Sequence, residues 1–274
     1  KGAPMPIASD RINRLAAING AQRYLEIGVA EGYTFMDVKI AHKTGIDPNF
    51  LFDYTKYSDL PGHHFFKTTS DDFFENLEDI KRNVYGENDF TWDIIFIDGL
   101  HTYGQAMRDF TNSLKYAHKN TLWVFDDTVP SDPWAAIPDI RECYFFRELA
   151  GVAGKDWQGD VYKCVFVLHD FFPDFSYATI IGSGNPQTLV WRTETPVNRP
   201  KIFKNREEII HLDYFGMLVR CGALNPMTED EAFAFVGKPL DRPVRNAAPF
   251  CPLLCRISAR YEHSLPRFFS QTGP

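Results

Sequence analysis

Three short apolar runs, each tipped by glycine or an acid and followed by a helix-like stretch, constrain this chain most. They are Tyr24-Leu25-Glu26-Ile27, Asp93-Ile94-Ile95-Phe96-Ile97 and Leu122-Trp123-Val124-Phe125. The clearest, Asp93 to Ile97, is a continuous apolar run that suits a strand buried on both faces, the condition of strands in a parallel sheet. Alternation of such runs with helical segments reads as an α/β domain with helices on both faces.

The rest of the chain can be laid out around those strands. The pattern predicts a first helix capped by Ser9 and carrying Ile12, Leu15, Ala16 and Ile18. Further helices are expected over Tyr33 to His42, Asp71 to Val84 (capped by Ser70 or Asp71), Tyr103 to His118 and within Pro133 to Ala150. A second strand ends at Gly45-Ile46-Asp47 and a third covers His64-Phe65-Phe66-Lys67. Val161 to His169 and Tyr177 to Trp191 both read as β-rich, the two arms of a hairpin across a long turn. After about Pro196 the pattern is irregular, with a helix expected over Glu207 to Arg220. This divides the chain into a ligand-binding domain over 1–195 and an extension over 196–274. Prolines at 239, 243, 249, 252 and 266 make its end an extended arm, wrapped on its own domain or joining a homo-oligomer.

Composition narrows the partners. A formal net charge of −7 gives no global field for nucleic acid or an anionic membrane. No apolar run approaches the roughly 20 residues of a membrane-spanning helix. The amino end starts at Lys1, which reads as processed, and lacks the apolar core of a secretory signal. Five cysteines, Cys143, Cys164, Cys221, Cys251 and Cys255, form an odd set, so reduced thiols and a cytoplasmic location are expected. Cys251 and Cys255 could make half a metal site, but no second pair matches them.

The segment Glu26-Ile27-Gly28-Val29-Ala30-Glu31-Gly32 runs from strand through a glycine loop into helix. Glycine allows a tight turn and close approach of a ligand, and ligands of open α/β sheets bind beyond the carboxyl ends of the strands. The spacing is G-x-x-x-G, without the G-x-G-x-x-G of dinucleotide enzymes. Asp47 ends the next strand, 21 residues after Glu26, where a carboxylate can accept both hydroxyls of a ribose. Ser70-Asp71 follows the third strand. The competing reading is a glycine turn with capping acids. From Tyr24 to Trp191 the chain resembles class I methyltransferases that use S-adenosylmethionine (SAM). The resemblance implies a Rossmann-like, mostly parallel seven-stranded sheet with a C-terminal antiparallel hairpin. It further implies a SAM site formed by Glu26, Gly28, Gly32, Asp47, Ser70, Asp71 and Asp98, with the glycines beside the methionine part, Asp47 on the ribose and Asp71 near adenine.

Two strands end in acids, Asp98 on one and Asp126-Asp127 on the next. Side by side, three carboxylates would repel and raise one another's pKa. A hard divalent cation such as Mg²⁺, which takes carboxylate and water oxygens, resolves that repulsion. Capping of turns is the plainer role for such acids. The segment from Ile97 to Tyr103 with Asp126-Asp127 resembles the metal-dependent sugar O-methyltransferases of macrolide and aminocoumarin pathways, and more distantly catechol O-methyltransferase. That likeness implies Mg²⁺ on Asp98, Asp126 and Asp127, with His101, three residues after Asp98, as the general base. His101 could instead cap the helix that begins near Thr102. The other seven histidines show no ligand spacing.

Trp157-Gln158-Gly159-Asp160-Val161-Tyr162-Lys163, ahead of an expected strand, and Trp134 are candidate walls of an acceptor pocket, although such residues are more often core. The expected activity is therefore SAM-dependent, Mg²⁺-assisted methylation of a hydroxyl on a sugar or glycosylated small molecule. The alternatives are metal-independent N- or O-methylation driven by proximity, and a SAM-binding or oligomeric scaffold without turnover. An iron oxygenase ranks last, because its site needs two histidines and only His101 is suitably placed.

Overall fold

The computed structural model describes residues 7–86, 90–182 and 184–238. Its centre is one eight-stranded sheet in the order β3-β2-β1-β4-β5-β7-β6-β8. The strands are β1 (Arg23–Ile27), β2 (His42–Ile46), β3 (His63–Phe66), β4 (Trp92–Ile97), β5 (Ala117–Phe125), β6 (Phe175–Ile180), β7 (Gln187–Arg192) and β8 (Pro226–Met227). The first five are mutually parallel, and β7 runs antiparallel to both β5 and β6. This is the expected Rossmann-like architecture with its terminal hairpin, extended by β8 beyond the seven strands expected.

Alternation along the central strands sends side chains to two cores. Leu25, Ile27, Ile95, Ile97, Trp123 and Phe125 share one cluster with Phe73, Ala106, Phe110 and Phe166. Tyr24, Ile94, Phe96, Leu122 and Val124 face the other way, onto Ile12, Leu15, Phe35, Ala232 and Phe233. The first face is therefore covered by α3 (Ser70–Glu75), α5 (Tyr103–Ser113) and α7 (Tyr162–Phe171). The second is covered by α1 (Ile7–Asn19), α2 (Tyr33–Asp37) and α10 (Glu229–Phe235). The remaining helices are α4 (Leu77–Ile80), α6 (Ile140–Leu149), α8 (Arg206–Ile210) and α9 (Tyr214–Val219).

Several boundaries differ from expectation, each for a local reason. Ser9 lies inside α1 and its hydroxyl donates to Asp37 Oδ2 at 2.6 Å, so it ties two helices together instead of capping one. Ile18 is exposed, off the packed face that Ile12 and Leu15 form. The α2 helix stops at Asp37, because the buried Lys43 ammonium donates to the carbonyls of Phe35 and Val38 at 2.8 and 2.9 Å and closes its end. The span from Asp71 to Val84 is broken into α3, α4 and a π turn over Lys81–Tyr85, and the cap of α3 is Thr69. The α5 helix ends at Ser113, and Ala117–Phe125 all belong to β5. Asp213 caps α9 and splits the helix expected over Glu207 to Arg220.

The largest correction is Val161 to His169, which forms the buried helix α7 instead of a strand. All ten of its residues except Phe171 are buried, so no amphipathic periodicity exists to announce a helix. The hairpin lies wholly within Tyr177 to Trp191 and its flanks, as β6 and β7.

The segment after 195 supplies β8, α8, α9 and α10, and it buries Phe203, Ile209, Leu212, Met217, Leu224, Met227 and Phe233. Cys143 and Cys164 are free and buried, while Cys221 is disulfide-bonded, so the expectation of reduced thiols does not hold at that position. The proline-punctuated arm with Cys251 and Cys255 lies outside the described residues. Among the described residues, no helix is long and apolar enough to cross a membrane.

Candidate functional site

Register assembles the site. Ile27 pairs with both Ile46 and Ile97, and Ile97 pairs with Phe125. One residue further on, the ladder continues: Gly28 N donates to Ile46 O at 2.9 Å, Asp98 N to Ile27 O at 2.9 Å and Asp126 N to Ile97 O at 3.1 Å. Gly28, Asp47, Asp98 and Asp126 are thereby forced to the same carboxyl rim. They open into one cavity of about 770 Å³ that also takes in Glu26, Gly32, Ser70, Asp71, His101, Gln105, Asp109 and Asp127. Every residue expected to hold the nucleoside, the cation or the proton lines this cavity.

The glycine turn is built for contact. Gly28 has φ of 89°, and a Cβ there would lie 2.1 Å from the Asp98 carbonyl oxygen. Only glycine allows the two strand tips to touch in this way. At Gly32 a Cβ would meet the Phe52 ring at 2.7 Å. Between them Ala30 adopts φ of 45°, a strained state for a residue with a side chain. Asp47 holds it there, with Oδ2 accepting from Ala30 N at 2.8 Å while Oδ1 accepts from Asn49 N at 2.7 Å. Each carboxylate oxygen keeps a further lone pair for a ligand.

Beneath the turn, Glu26 is buried and accepts the Tyr24 hydroxyl proton at 2.6 Å. Burial pushes its pKa well up, against the opposing pull of that hydrogen bond. Across the cavity, Ser70 Oγ donates to Asp109 Oδ1 at 2.6 Å. Gln105 Nε2 reaches Ser70 Oγ at 3.1 Å, Asp109 Oδ1 at 3.0 Å and Asp71 Oδ1 at 3.2 Å. Asp71 sits at the open rim against Arg108. Asp109 is raised to about 6 by burial, with Ser70 and Gln105 pulling the other way. Gln105 and Asp109 escaped the sequence reading; their only signal was two polar residues four apart on one face of α5.

The acidic corner is organised around His101. Asp98, His101 and Asp127 offer ligand atoms that all lie within 4.8 Å of one another. His101 Nδ1 is 3.0 Å from Asp127 Oδ2 and 2.9 Å from the Trp157 carbonyl, and Nε2 is 3.5 Å from Asp98 Oδ1. Burial opposes a charge on the ring, but hydrogen bonds and the fields of Asp127 and Asp98 outweigh it and hold the pKa up at about 11. Asp98 rises to about 6, mainly through burial, with His101 opposing and Asp127 adding repulsion. Asp126 stands outside this group. Its Oδ1 accepts from Asp127 N at 2.8 Å and from Asn185 Nδ2 at 2.6 Å, and burial together with the two neighbouring carboxylates raises it strongly.

His101 does not cap α5. Thr102 does, with Asp160 Oδ1 accepting from Tyr103 N at 2.6 Å, so the imidazole is left for the cavity. The Trp157 indole stacks on it at 4.6 Å between ring centroids, and a Cβ on Gly159 would lie 1.7 Å from the His101 carbonyl oxygen. Asp160 and Lys163 pair with each other at 2.9 Å and Lys163 also donates to the Ile210 carbonyl, while Gln158 accepts from Ser131 N. These residues brace the loop behind His101 and, with the partly buried Trp134, lie outside the cavity wall.

Comparison with known proteins adds the following. Residues 25–128 match the family model described as a methyltransferase domain. Among curated proteins, none matches significantly. Solved structures that resemble the chain include an O-methyltransferase from Bacillus cereus in complex with S-adenosylhomocysteine (SAH), with 16% identity, TM-score 0.47, covering 70% of this chain and 83% of that one. Another is the O-methyltransferase TomG from Streptomyces achromogenes, involved in tomaymycin synthesis and in complex with SAM, with 18% identity, TM-score 0.42, covering 70% and 82%. A third is the N-methyltransferase NodS from Bradyrhizobium japonicum WM9, with 15% identity, TM-score 0.41, covering 67% and 93%.

Proposed function

We propose that the methyltransferase domain over 25–128 serves a SAM-dependent O-methyltransferase, assisted by a divalent cation such as Mg²⁺, whose acceptor is a hydroxyl of a sugar or glycosylated small molecule. The observation that carries this reading is the register of β2, β1, β4 and β5, which gathers a glycine turn, a ribose-type carboxylate and two further acids with a histidine in one cavity.

The residues fit both groups. A turn with no room for a Cβ at Gly28 suits close approach of the methionine part, Asp47 has lone pairs for ribose hydroxyls, and Ser70 and Asp71, lining the same cavity, offer polar groups to the base. Asp98 and Asp127, with Asp126 behind them, supply hard oxygen donors for a divalent cation. SAM, when bound, supplies an electrophilic methyl group, and the cation lowers the pKa of an acceptor hydroxyl and fixes its direction. The protein's part is to orient the acceptor and to hold or take a proton at His101 Nε2. In the ion-paired arrangement His101 keeps its proton, so it serves as a base only when Asp98 and Asp127 are engaged elsewhere.

A second reading follows from that same ion pairing. The His101 imidazolium already offsets one of the two carboxylate charges, which lessens the need for a cation and favours metal-independent methylation by proximity. The test is methyl transfer to a panel of sugars and glycosides, with chelator and then with Mg²⁺ restored, beside calorimetry with SAH. Turnover lost on chelation and regained with Mg²⁺ supports the first reading, and turnover that survives chelation supports the second. SAH binding with no acceptor across the panel would return the chain to a scaffold role. Asp126→Asn is expected to abolish metal-dependent turnover while SAM affinity stays nearly intact.

A further inference from the structure

We propose that Asn185, in the turn between β6 and β7, is a positioning residue for the paired aspartates, and that Arg11 and Glu229 hold it in place. Its side-chain Nδ2 lies 2.6 Å from Asp126 Oδ1 and 2.6 Å from Asp127 Oδ1. An amide nitrogen carries two hydrogens, so one group can serve both carboxylates at once. With Oδ1 of Asp127 held in this way, its Oδ2 is turned to His101 Nδ1 at 3.0 Å. Asp127 also has φ of 56°, so its backbone conformation needs support from outside the residue.

The support comes from far along the chain. Arg11 Nη1 donates to the Asn185 carbonyl at 2.7 Å and to Gln187 Oε1 at 3.1 Å, and the Gln187 side chain in turn hydrogen-bonds Asp126. Arg11 Nε donates to Glu229 Oε2 at 2.8 Å, and the Arg11 side chain is only 1% exposed. A buried guanidinium stays where its partners fix it, because leaving any donor unmet is costly. Glu229 on α10, Arg11 on α1 and the β6–β7 turn therefore form a fixed brace behind the acidic corner. Outer partners of this kind set the direction of metal-binding side chains, and their loss weakens metal affinity about 10- to 100-fold.

The cation belongs to the function proposed above, so the test separates the two ideas. Mn²⁺ is titrated into the whole protein without acceptor, with SAH affinity, thermal midpoint and the His101 Nδ1–H proton resonance recorded at one fixed pH. The variants are Asn185→Ala, Asn185→Ser and the remote Glu229→Gln. Mn²⁺ affinity is expected to fall about 10- to 100-fold in Asn185→Ala, and less in Glu229→Gln, with SAH affinity within about twofold of wild type. Mn²⁺ affinity unchanged, or falling only in step with SAH affinity and thermal midpoint, overturns the proposal. Should the wild type bind no Mn²⁺, the cation reading fails, and the His101 resonance then decides the role of Asn185. A shifted resonance in Asn185→Ala sustains it, and an unmoved one overturns it.

Discussion

Gly28→Ala tests the contact between strand tips more directly than any other change. At Gly28 the backbone has φ of 89° and an added Cβ would sit 2.1 Å from the Asp98 carbonyl oxygen and 2.5 Å from Gly99 Cα. A left-handed conformation costs an L residue roughly 1–2 kcal/mol, and forcing an atom into packed surroundings costs about 1–3 kcal/mol more. Gly20 is the matched control, with φ of 66° and nothing within 4 Å of its would-be Cβ, so Gly20→Ala carries only the first cost. For a domain of this size each kcal/mol lowers Tm by roughly 2–4 °C. Gly28→Ala should then melt about 4–20 °C below wild type, and Gly20→Ala about 2–8 °C below. The obstructing atoms are all backbone, so relief requires the Asp98 tip to move, and SAH affinity by calorimetry should fall in Gly28→Ala alone. Two variants that melt together, or a Gly28→Ala protein that binds SAH like wild type, would refute the reasoning.

Asp47→Ala removes the acceptor that fixes Ala30 along with two possible ribose bonds, so SAH affinity should drop by about one to two orders of magnitude. Equal affinity would take Asp47 out of the site. Gly159→Ala should cut turnover while SAH affinity holds within about twofold, because its Cβ would strike the His101 carbonyl and not the nucleoside side of the cavity. Equal losses in both would contradict this. In metal-free protein, His101 has a folded pKa raised to about 11, against about 6.5 unfolded. Its stabilisation is complete below about pH 6.5 and drains away as pH climbs toward 11. Urea denaturation at acid, neutral and alkaline pH should show the stability gap between wild type and His101→Gln narrowing with rising pH, and a constant gap would be the contrary result.

The central sheet was legible because β1, β4 and the end of β5 are apolar runs with acid or glycine at the tip, and register did the rest. Once Ile27, Ile97 and Phe125 are in line, the residue after each must share a rim. Helix ends were less legible because tertiary partners set them, as with Lys43 closing α2 and Asp160 helping to cap α5. The α7 helix was misread because burial on all sides erases the pattern that distinguishes helix from strand. Asn185 was invisible for a different reason. An asparagine before a proline reads as an ordinary turn, and nothing local reveals that Asp126, Arg11 and Glu229 converge on it.

The Arg11–Glu229 pair joins an early helix to a late one, and this bears on how the molecule is made. A chain emerging from the ribosome has every cavity residue outside once Asp127 has appeared, yet Glu229 follows only about a hundred residues later. Until then the Arg11 guanidinium lacks its carboxylate, a deficit of about 3–5 kcal/mol if it is buried. Nascent or prematurely terminated chains that stop before α10 should therefore hold every cavity-lining residue yet lack the Glu229 end of the brace, and be more open to proteolysis there.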